Sequence, residues 1–287
     1  MESSPSPASP VIFVVEPFGG SVRWHNPNLP LVHFDDLALT RGEGVFESLL
    51  VRDGKAINFS RHSQRFVDSA KVLGMPAPRL DCWERATEMA IAEYGPQEAK
   101  CTWTYSRGRA STGQPTAWVV VQPIPDNIIE QRGSGIKVDV QVREWSVPSR
   151  LPAKTLNYAA TMASLRMAHE AGFDDVIFLE PETRRVLEGA TSTVVTFKGD
   201  KVRTPAGDDI LPGTTQQALF AYAQQRGYRC KAKELFIEDL LAADSVWLVS
   251  SVRLAVRVRR LGEHKLKAPD NVKEIQGLIE SAVGTDA

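Results

Sequence analysis

Apolar and polar positions alternate cleanly enough along this chain to divide it into elements. Residues 44–51 (Gly-Val-Phe-Glu-Ser-Leu-Leu-Val) read as a strand, Asp53-Gly54 as a tight hairpin turn, and residues 55–59 as the returning strand. Ser60 is then placed to cap a helix carrying Phe66, Ala70 and Leu73 at i, i+4 and i+7. Asp81, with Glu84 three residues on, marks the start of a second helix reaching about Tyr94. Residues 100–106 and 117–122 are rich in β-branched and aromatic side chains and predict two more strands. Pro123, Pro125 and the run Arg132-Gly133-Ser134-Gly135 break the pattern and predict a linker.

The second half opens with a period-two strand over 136–142. A loop carrying Lys154 follows, then a helix from about Asn157 to Ala171 closed by Gly172, and a strand over 175–179. A turn at 181–184 returns the chain into a strand bearing Glu188-Gly189-Ala190-Thr191-Ser192-Thr193, so these two strands pair as a hairpin. A helix over 214–226 ends at Gly227, and strands follow near 228–233 and 245–249. In the polar tail, Val272, Ile275, Leu278 and Ile279 mark one weakly amphipathic helix, and there are no internal repeats. The expected organisation is α+β: a disordered arm (1–10), an N-terminal α+β domain (11–122), a linker (123–135), a mostly β C-terminal domain (136–262) and a tail (263–287).

Composition narrows the function classes. The 287 residues are 43% hydrophobic and 24% charged, which fits a folded globular protein rather than a disordered one. With 34 basic and 35 acidic residues the net charge is −1, so nothing draws the chain as a whole to nucleic acid. The basic run from Arg253 to Arg260 alternates with Leu254, Val256 and Val258, as on the solvent face of a strand. Cys82, Cys101 and Cys230 are odd in number, widely spaced and without a C-x-x-C, which predicts no disulfide framework, no metal site and a reducing cytosol. The apolar run 11–15 is too short for a signal segment and nothing reaches the length of a membrane span, so a cytoplasmic protein without membrane contact is expected.

Three features carry candidate chemistry. Lys154 lies in Leu151-Pro152-Ala153-Lys154-Thr155-Leu156-Asn157-Tyr158, just before a helix. A lone lysine there is usually a solvated charge, but Pro152, Ala153 and Leu156 make an apolar setting, and desolvation makes an amine nucleophilic. The Tyr158 phenol is placed to hydrogen-bond a ligand nearby. Glu188 sits beside the small residues Gly189 and Ala190, which would let a flat ring approach the backbone; the plain alternative is an exposed strand carboxylate. Leu211-Pro212-Gly213-Thr214-Thr215 opens a helix, either as an ordinary cap or as a phosphate site made of N–H groups and hydroxyls. Arg65, at i+4 from Arg61, is a helix-surface residue or a charged clamp on the same phosphate. An amine, a strand carboxylate and a helix start are the parts needed to hold pyridoxal 5'-phosphate.

In this order the residues resemble the fold-type IV pyridoxal-phosphate enzymes, the class IV aminotransferases, over about 33–261. The resemblance rests on Asp36-x-x-x-x-Arg41-Gly42-x-Gly44-Val45-Phe46-Glu47, His62-x-x-Arg65, Lys154-x-x-Asn157-Tyr158, Glu188-Gly189-x-x-Ser192 and Leu211-Pro212-Gly213-x-Thr215. It implies Lys154 as the Schiff-base lysine, Glu188 as the partner of the pyridine nitrogen, and Arg65, Thr214, Thr215 and Ser251 as phosphate ligands. It also implies a small N-terminal α/β domain, a larger β-barrel-like C-terminal domain and a homodimer. Tyr105-Ser106-Arg107-Gly108-Arg109, the run 213–220 and Trp247-Leu248-Val249-Ser250-Ser251 look most like the actinobacterial aminodeoxychorismate lyase branch. The chain lacks the Pro-Arg-x-His of D-amino acid aminotransferases after its Arg-Gly pair. It also has Ser251-Val252-Arg253-Leu254 where branched-chain enzymes carry Gly-Thr-Ala-Ala, and Arg253 there suits an acidic substrate.

The resemblance implies elimination of pyruvate from a small-molecule substrate, aminodeoxychorismate, to give 4-aminobenzoate for folate synthesis. Lys154 would be both covalent anchor and proton carrier, with Arg107 and Arg109 as candidates for the substrate carboxylates or, equally, surface charges. A D-amino acid or branched-chain aminotransferase shares every cofactor residue and is the nearest alternative. A binding protein that keeps the fold without the cofactor is a more distant one.

Overall fold

The computed structural model describes residues 9–16, 19–145 and 153–284. Residues 1–8 of the expected arm (1–10), the end of the tail (285–287) and Leu151-Pro152 of the lysine motif lie outside the described residues. The chain forms two compact units, one of residues 1–125 with 153–157 and the other of 126–152 with 158–287.

In chain order the first unit contains β1 (Val11–Val15), β2 (Val22–His25), α1 (Leu37–Arg41), β3 (Gly44–Arg52), β4 (Lys55–Ala56), α2 (Phe59–Val72), α3 (Leu80–Tyr94), β5 (Ala99–Ser106) and β6 (Thr116–Pro123). The second contains α4 (Asp126–Ser134), β7 (Ile136–Val142), α5 (Ala159–Glu170), β8 (Asp175–Leu179), β9 (Val186–Gly189), β10 (Thr193–Lys198) and β11 (Lys201–Pro205). It continues with α6 (Thr214–Gln224), β12 (Arg229–Lys233), α7 (Ile237–Leu241), β13 (Ser245–Ser250), β14 (Leu254–Leu261), β15 (His264–Lys265) and α8 (Val272–Val283). The architecture is α+β, as expected.

The first sheet runs β2-β1-β6-β5-β3-β4, antiparallel throughout. Period-two alternation puts Val45, Leu49 and Val51 on the face covered by α2 and α3, where they join Phe66, Ala70, Trp83, Trp103 and Tyr105. Phe66 meets Trp83 edge-on at 4.7 Å and Trp103 at 5.4 Å. The buried Trp103 indole donates to Thr87 Oγ1 (2.8 Å), which in turn donates to the Trp83 carbonyl (2.7 Å). Asp53 and Gly54 both take positive φ (51° and 71°), the geometry of a type I′ turn, which matches the right-handed twist of a two-residue hairpin.

The second sheet runs β12-β11-β10-β13-β14-β7-β8-β9, with β15 paired to β14. It is mixed, with β11/β12, β14/β7 and β7/β8 parallel. Both faces are covered. Val194, Val246, Leu248 and Val256 pack into one cluster with Ile136, Ile177 and Leu235, while Val195, Trp247, Val249 and Ala255 face Leu219, Ile275 and Ile279 of α6 and α8. That is why β10 and β13 read as near-continuous apolar runs rather than alternating ones. The sheet curls until β9 lies against β10 and β11, the barrel-like form expected of this half.

Several expectations are corrected. The linker over 123–135 folds as α4, with Pro125 immediately before its first turn, where the missing N–H of proline costs no hydrogen bond. The return strand is only Lys55–Ala56, and α2 starts at Phe59 from Asn58 (φ 54°), not from Ser60. Asp81 does not cap α3; it lies in the first turn and pairs with Arg79 at 2.9 Å. The stretch around Glu188 is two strands, β9 and β10, joined by a turn in which the Gly189 amide donates to the Ser192 carbonyl (2.8 Å). The amphipathic helix expected in the tail is present as α8, with Ile275, Ile279, Ala282 and Val283 buried. Residues 153–157 belong with the first unit, because β3 recruits them by backbone pairing.

Candidate functional site

In the first unit the exposed edge of β3 binds the lysine segment. The Phe46 amide donates to the Lys154 carbonyl (3.0 Å), the Leu156 amide donates to the Gly44 carbonyl (2.9 Å), and Val45 bridges Thr155. The Lys154 amide donates to Ser69 Oγ (3.0 Å), tying the segment to α2 as well. Gly44 is required here, since a Cβ would lie 2.6 Å from Leu156 Cδ1 and 2.8 Å from the Tyr105 carbonyl oxygen. Lys154 Nζ lies 4.3 Å from the centre of the Phe46 ring, a half-dry position for an amine.

Arg65 lies on α2 and is gripped by Glu47 through two parallel hydrogen bonds, Nε to Oε1 and Nη2 to Oε2, both 2.7 Å. Glu47 is fully buried on the core face of β3, and His62 Nδ1 lies 2.6 Å from its Oε2, an arrangement in which the ring nitrogen donates. Burial raises the Glu47 carboxyl, but the Arg65 charge and His62 outweigh it and hold the pKa at about 2. Burial pushes His62 below its ordinary value against the opposite pull of Glu47, so the imidazole is neutral. Arg65 is therefore held by an ionised carboxylate whose own place is fixed by the core.

Arg107 and Arg109 are also in the first unit, and both are engaged. Arg107 Nε pairs with Glu43 and its Nη2 donates to the Leu73 carbonyl. Arg109 Nε donates to Asp35 Oδ1 (3.0 Å), and Asp35 also takes the Ser111 amide (3.2 Å) and hydroxyl. Beside it Asp36 caps α1 through the Ala38 amide (2.9 Å) and accepts from Ser106 and from Thr116 Oγ1 (2.8 Å). This pair of aspartates clamps residues 35–42 to the 106–116 turn.

In the second unit, α6 begins at Thr214 with Gly213 as its cap, and no side chain caps it. Thr214 Oγ1 lies 3.3 Å from Ser251 Oγ, on the turn between β13 and β14. Thr215 Oγ1 is buried and has no hydrogen-bond partner among the described residues. Hydroxyls and helix N–H groups converging on one spot form a donor set for an oxyanion, and the orphaned Thr215 hydroxyl fits a phosphate that completes it. A Cβ on Gly213 would sit 2.3 Å from Thr193 Oγ1, so only glycine brings the helix start this close to β10. Glu188 projects from β9, partly exposed, and Arg143 Nη1 donates to its Oε1 at 3.3 Å. Arg143 Nη2 also bonds the Asp209 carboxylate (3.1 Å), which Arg185 holds from the other side (2.7 Å). Tyr158 stands at the cap of α5, its carbonyl accepting from Met162 (2.9 Å).

Arg253, expected to meet an acidic substrate from the solvent side of its strand, is instead buried, with Nη1 on Asp175 and Nη2 on Gln131 Oε1 (3.0 Å). Sequence reasoning met Glu47 and His62 only as members of motifs, with no role assigned, and passed over Arg143 altogether. Glu47 had a readable signal: a carboxylate in phase with Val45, Leu49 and Val51 must be paired. Arg143, just beyond the end of β7, had none. Burial pushes the Cys101 thiol up to about 12 and Cys230 up to about 11, which leaves neither suited to nucleophilic work. Among the described residues no helix is long and apolar enough to cross a membrane, and no group of His, Cys, Asp and Glu is placed to hold a metal.

Comparison with known proteins bears on this geometry. The family model for amino-transferase class IV matches residues 44–261. A Mycobacterium tuberculosis protein named bifunctional aminodeoxychorismate lyase / D-amino acid transaminase is 40% identical over 281 residues, covering 91% of this chain and 96% of that one. A crystal structure from Corynebacterium glutamicum, provisionally assigned as an aminotransferase, is 51% identical with TM-score 0.78, covering 97% of this chain and all of that one. A hypothetical aminotransferase from M. tuberculosis superimposes with TM-score 0.90 in a PLP-bound form (37% identical) and in a form bound to alpha-ketoglutarate and PMP (39%). Each covers 96% of this chain and all of the matched one.

Proposed function

The chain belongs to the class IV aminotransferases, pyridoxal-phosphate enzymes of fold type IV, and from that premise we propose that it is an aminodeoxychorismate lyase. It would release pyruvate from 4-amino-4-deoxychorismate and leave 4-aminobenzoate. The observation that carries this reading is the 40% identity, over nearly the full length of both chains, to a relative named for that lyase activity. The hydroxyl and helix N-terminal donors at Thr214, Thr215 and Ser251 fit the cofactor's phosphate.

Bound pyridoxal phosphate supplies an electron sink for charge that develops beside the substrate nitrogen. The chain's own residues do the rest. Lys154, fixed at its backbone by Phe46 and Ser69, would hold the cofactor and, as a free amine, would carry the proton at Nζ. Arg65 meets the phosphate as a charge pre-aimed by Glu47, and Thr214, Thr215 and Ser251 donate to it. Glu188 holds the ring nitrogen in its protonated form, and Tyr158 donates its phenol to the cofactor. Arg107 and Arg109 reach substrate carboxylates only by exchanging Glu43 and Asp35, so in this reading they serve first to shape the loop. The family resemblance implies a homodimer as the working form.

Transamination of D-amino acids is the second reading, favoured by the two activities in that relative's name and by the alpha-ketoglutarate and PMP bound form of the M. tuberculosis structure. One experiment weighs both: purified holoenzyme is given aminodeoxychorismate, and separately D-alanine with alpha-ketoglutarate. Rapid 4-aminobenzoate with pyruvate supports the lyase. If only the keto-acid exchange proceeds, the lyase assignment is wrong.

A further inference from the structure

The turn between β13 and β14 carries Ser251, and the residues after it are tied down one by one. The Val252 carbonyl accepts from Arg132 Nη2 of α4 at 2.6 Å. Arg253 turns inward, 7% exposed, with one nitrogen on the buried Asp175 of β8 and another on Gln131 of α4 (3.0 Å). Leu254 is 1% exposed and takes φ 60°, a left-handed conformation that a leucine keeps only when its surroundings impose it. Ser250 pairs with Leu254, so the turn is a short one with little slack. On its other side Ser251 Oγ faces Thr214 Oγ1 at 3.3 Å, next to the orphaned Thr215 hydroxyl.

We infer that Arg253 is a positioning residue for the phosphate cup. Its buried ion pair with Asp175, together with the grip of Gln131 and Arg132, holds the β13–β14 turn against its own backbone strain so that Ser251 stays opposite the start of α6. The inference rests on the reading that Thr214, Thr215 and Ser251 receive the cofactor's phosphate. A buried ion pair is not needed for stability alone, since an apolar pair of similar volume does as well or better. What it adds here is direction: a planar guanidinium bonded on two sides fixes the turn in one place. The helix that appeared to be a linker thereby becomes part of the site's scaffold.

The test compares apo-protein affinity for pyridoxal phosphate with affinity for pyridoxal, which lacks the phosphate. The variant is the double substitution Asp175→Asn/Arg253→Met, which removes the pair without leaving one buried charge alone. Gln131→Leu, a milder loosening, serves if the double variant does not fold, and Ser251→Ala reports on the phosphate contact itself. The expected result is that pyridoxal phosphate binding weakens roughly tenfold while pyridoxal binding stays within about twofold, in parallel with Ser251→Ala. A merely structural role would weaken both ligands together. If Ser251→Ala loses the preference for the phosphorylated ligand but the tether variants keep it, the inference is wrong. If Ser251→Ala also keeps the preference, the phosphate lies elsewhere and the underlying reading falls with it.

Discussion

Replacing Glu47 by glutamine keeps the shape of a fully buried side chain and removes its charge, leaving Arg65 without its anionic partner. The folded-state pKa of Glu47 is about 2 against an ordinary 4.5. The folded value is depressed, so the stabilisation is complete above the unfolded pKa and is lost as pH falls towards the folded one. At 1.36 kcal/mol per unit the carboxylate contributes about 3 kcal/mol at pH 7. By the same titration about 1.5 kcal/mol remains at pH 3. That is of the order of the 3–5 kcal/mol expected when one partner of a buried ion pair is removed, roughly what this variant does. Urea unfolding of the apo-forms of wild type and Glu47→Gln, followed by circular dichroism from pH 7 to pH 3, measures the gap directly. The gap should start near 3 kcal/mol and close by about half between pH 5 and pH 3. His62, whose pKa burial also depresses, makes stability fall in both proteins as pH drops below its ordinary 6.5. A gap that stays constant down to pH 3 would refute the ionised Glu47, and with it the claim that Arg65 is aimed by a carboxylate.

Thr215→Val removes a buried hydroxyl that has no partner, so the apo-protein should be as stable as wild type or up to about 1 kcal/mol more so, while pyridoxal phosphate affinity drops; calorimetry and cofactor titration check the two halves. Gly213→Ala forces a methyl to within 2.3 Å of Thr193 Oγ1, and moving the start of α6 to relieve it should cost about 1–3 kcal/mol and weaken the cofactor, again by titration. Asp36→Ala deletes a helix cap and two side-chain hydrogen bonds at once and should lower unfolding stability by about 2–4 kcal/mol, read by urea denaturation. Lys154→Ala should abolish both turnover and the absorbance of the covalently bound cofactor, and a variant that keeps either would remove Lys154 from its proposed role.

What could be read in the sequence was local. The strands β3, β5, β6, β7 and β8 announce themselves by alternation or β-branched content, and their bounds move by a residue or so. The helix α4 did not, because Pro125 before it and Gly133 within it are the same punctuation marks that flank a loop, and none of its residues is buried. The start of α2 was misplaced because Asn58, in a left-handed conformation and without a side-chain capping bond, takes the cap position two residues before Ser60. The membership of residues 153–157 was beyond any linear reading. It depends on β3 having one edge open at Gly44–Phe46, a pairing across more than a hundred residues of chain.

Each unit holds departures from local expectation at residues to which a role in the chemistry is proposed. A carboxylate lies in phase with the core residues of β3, a leucine takes positive φ beside Ser251, a hydroxyl at the start of α6 is buried without a partner, and an arginine turns inward from a stretch that reads as a solvent-facing strand. Each is unfavourable taken alone, and a chain selected only for stability would have little reason to keep any of them. Three are offset within the fold: Glu47 by Arg65 and His62, Arg253 by Asp175 and Gln131, and Leu254 by its burial. Thr215 is the exception. Nothing among the described residues satisfies its hydroxyl, and a phosphate oxygen is the partner that the neighbouring donors would share.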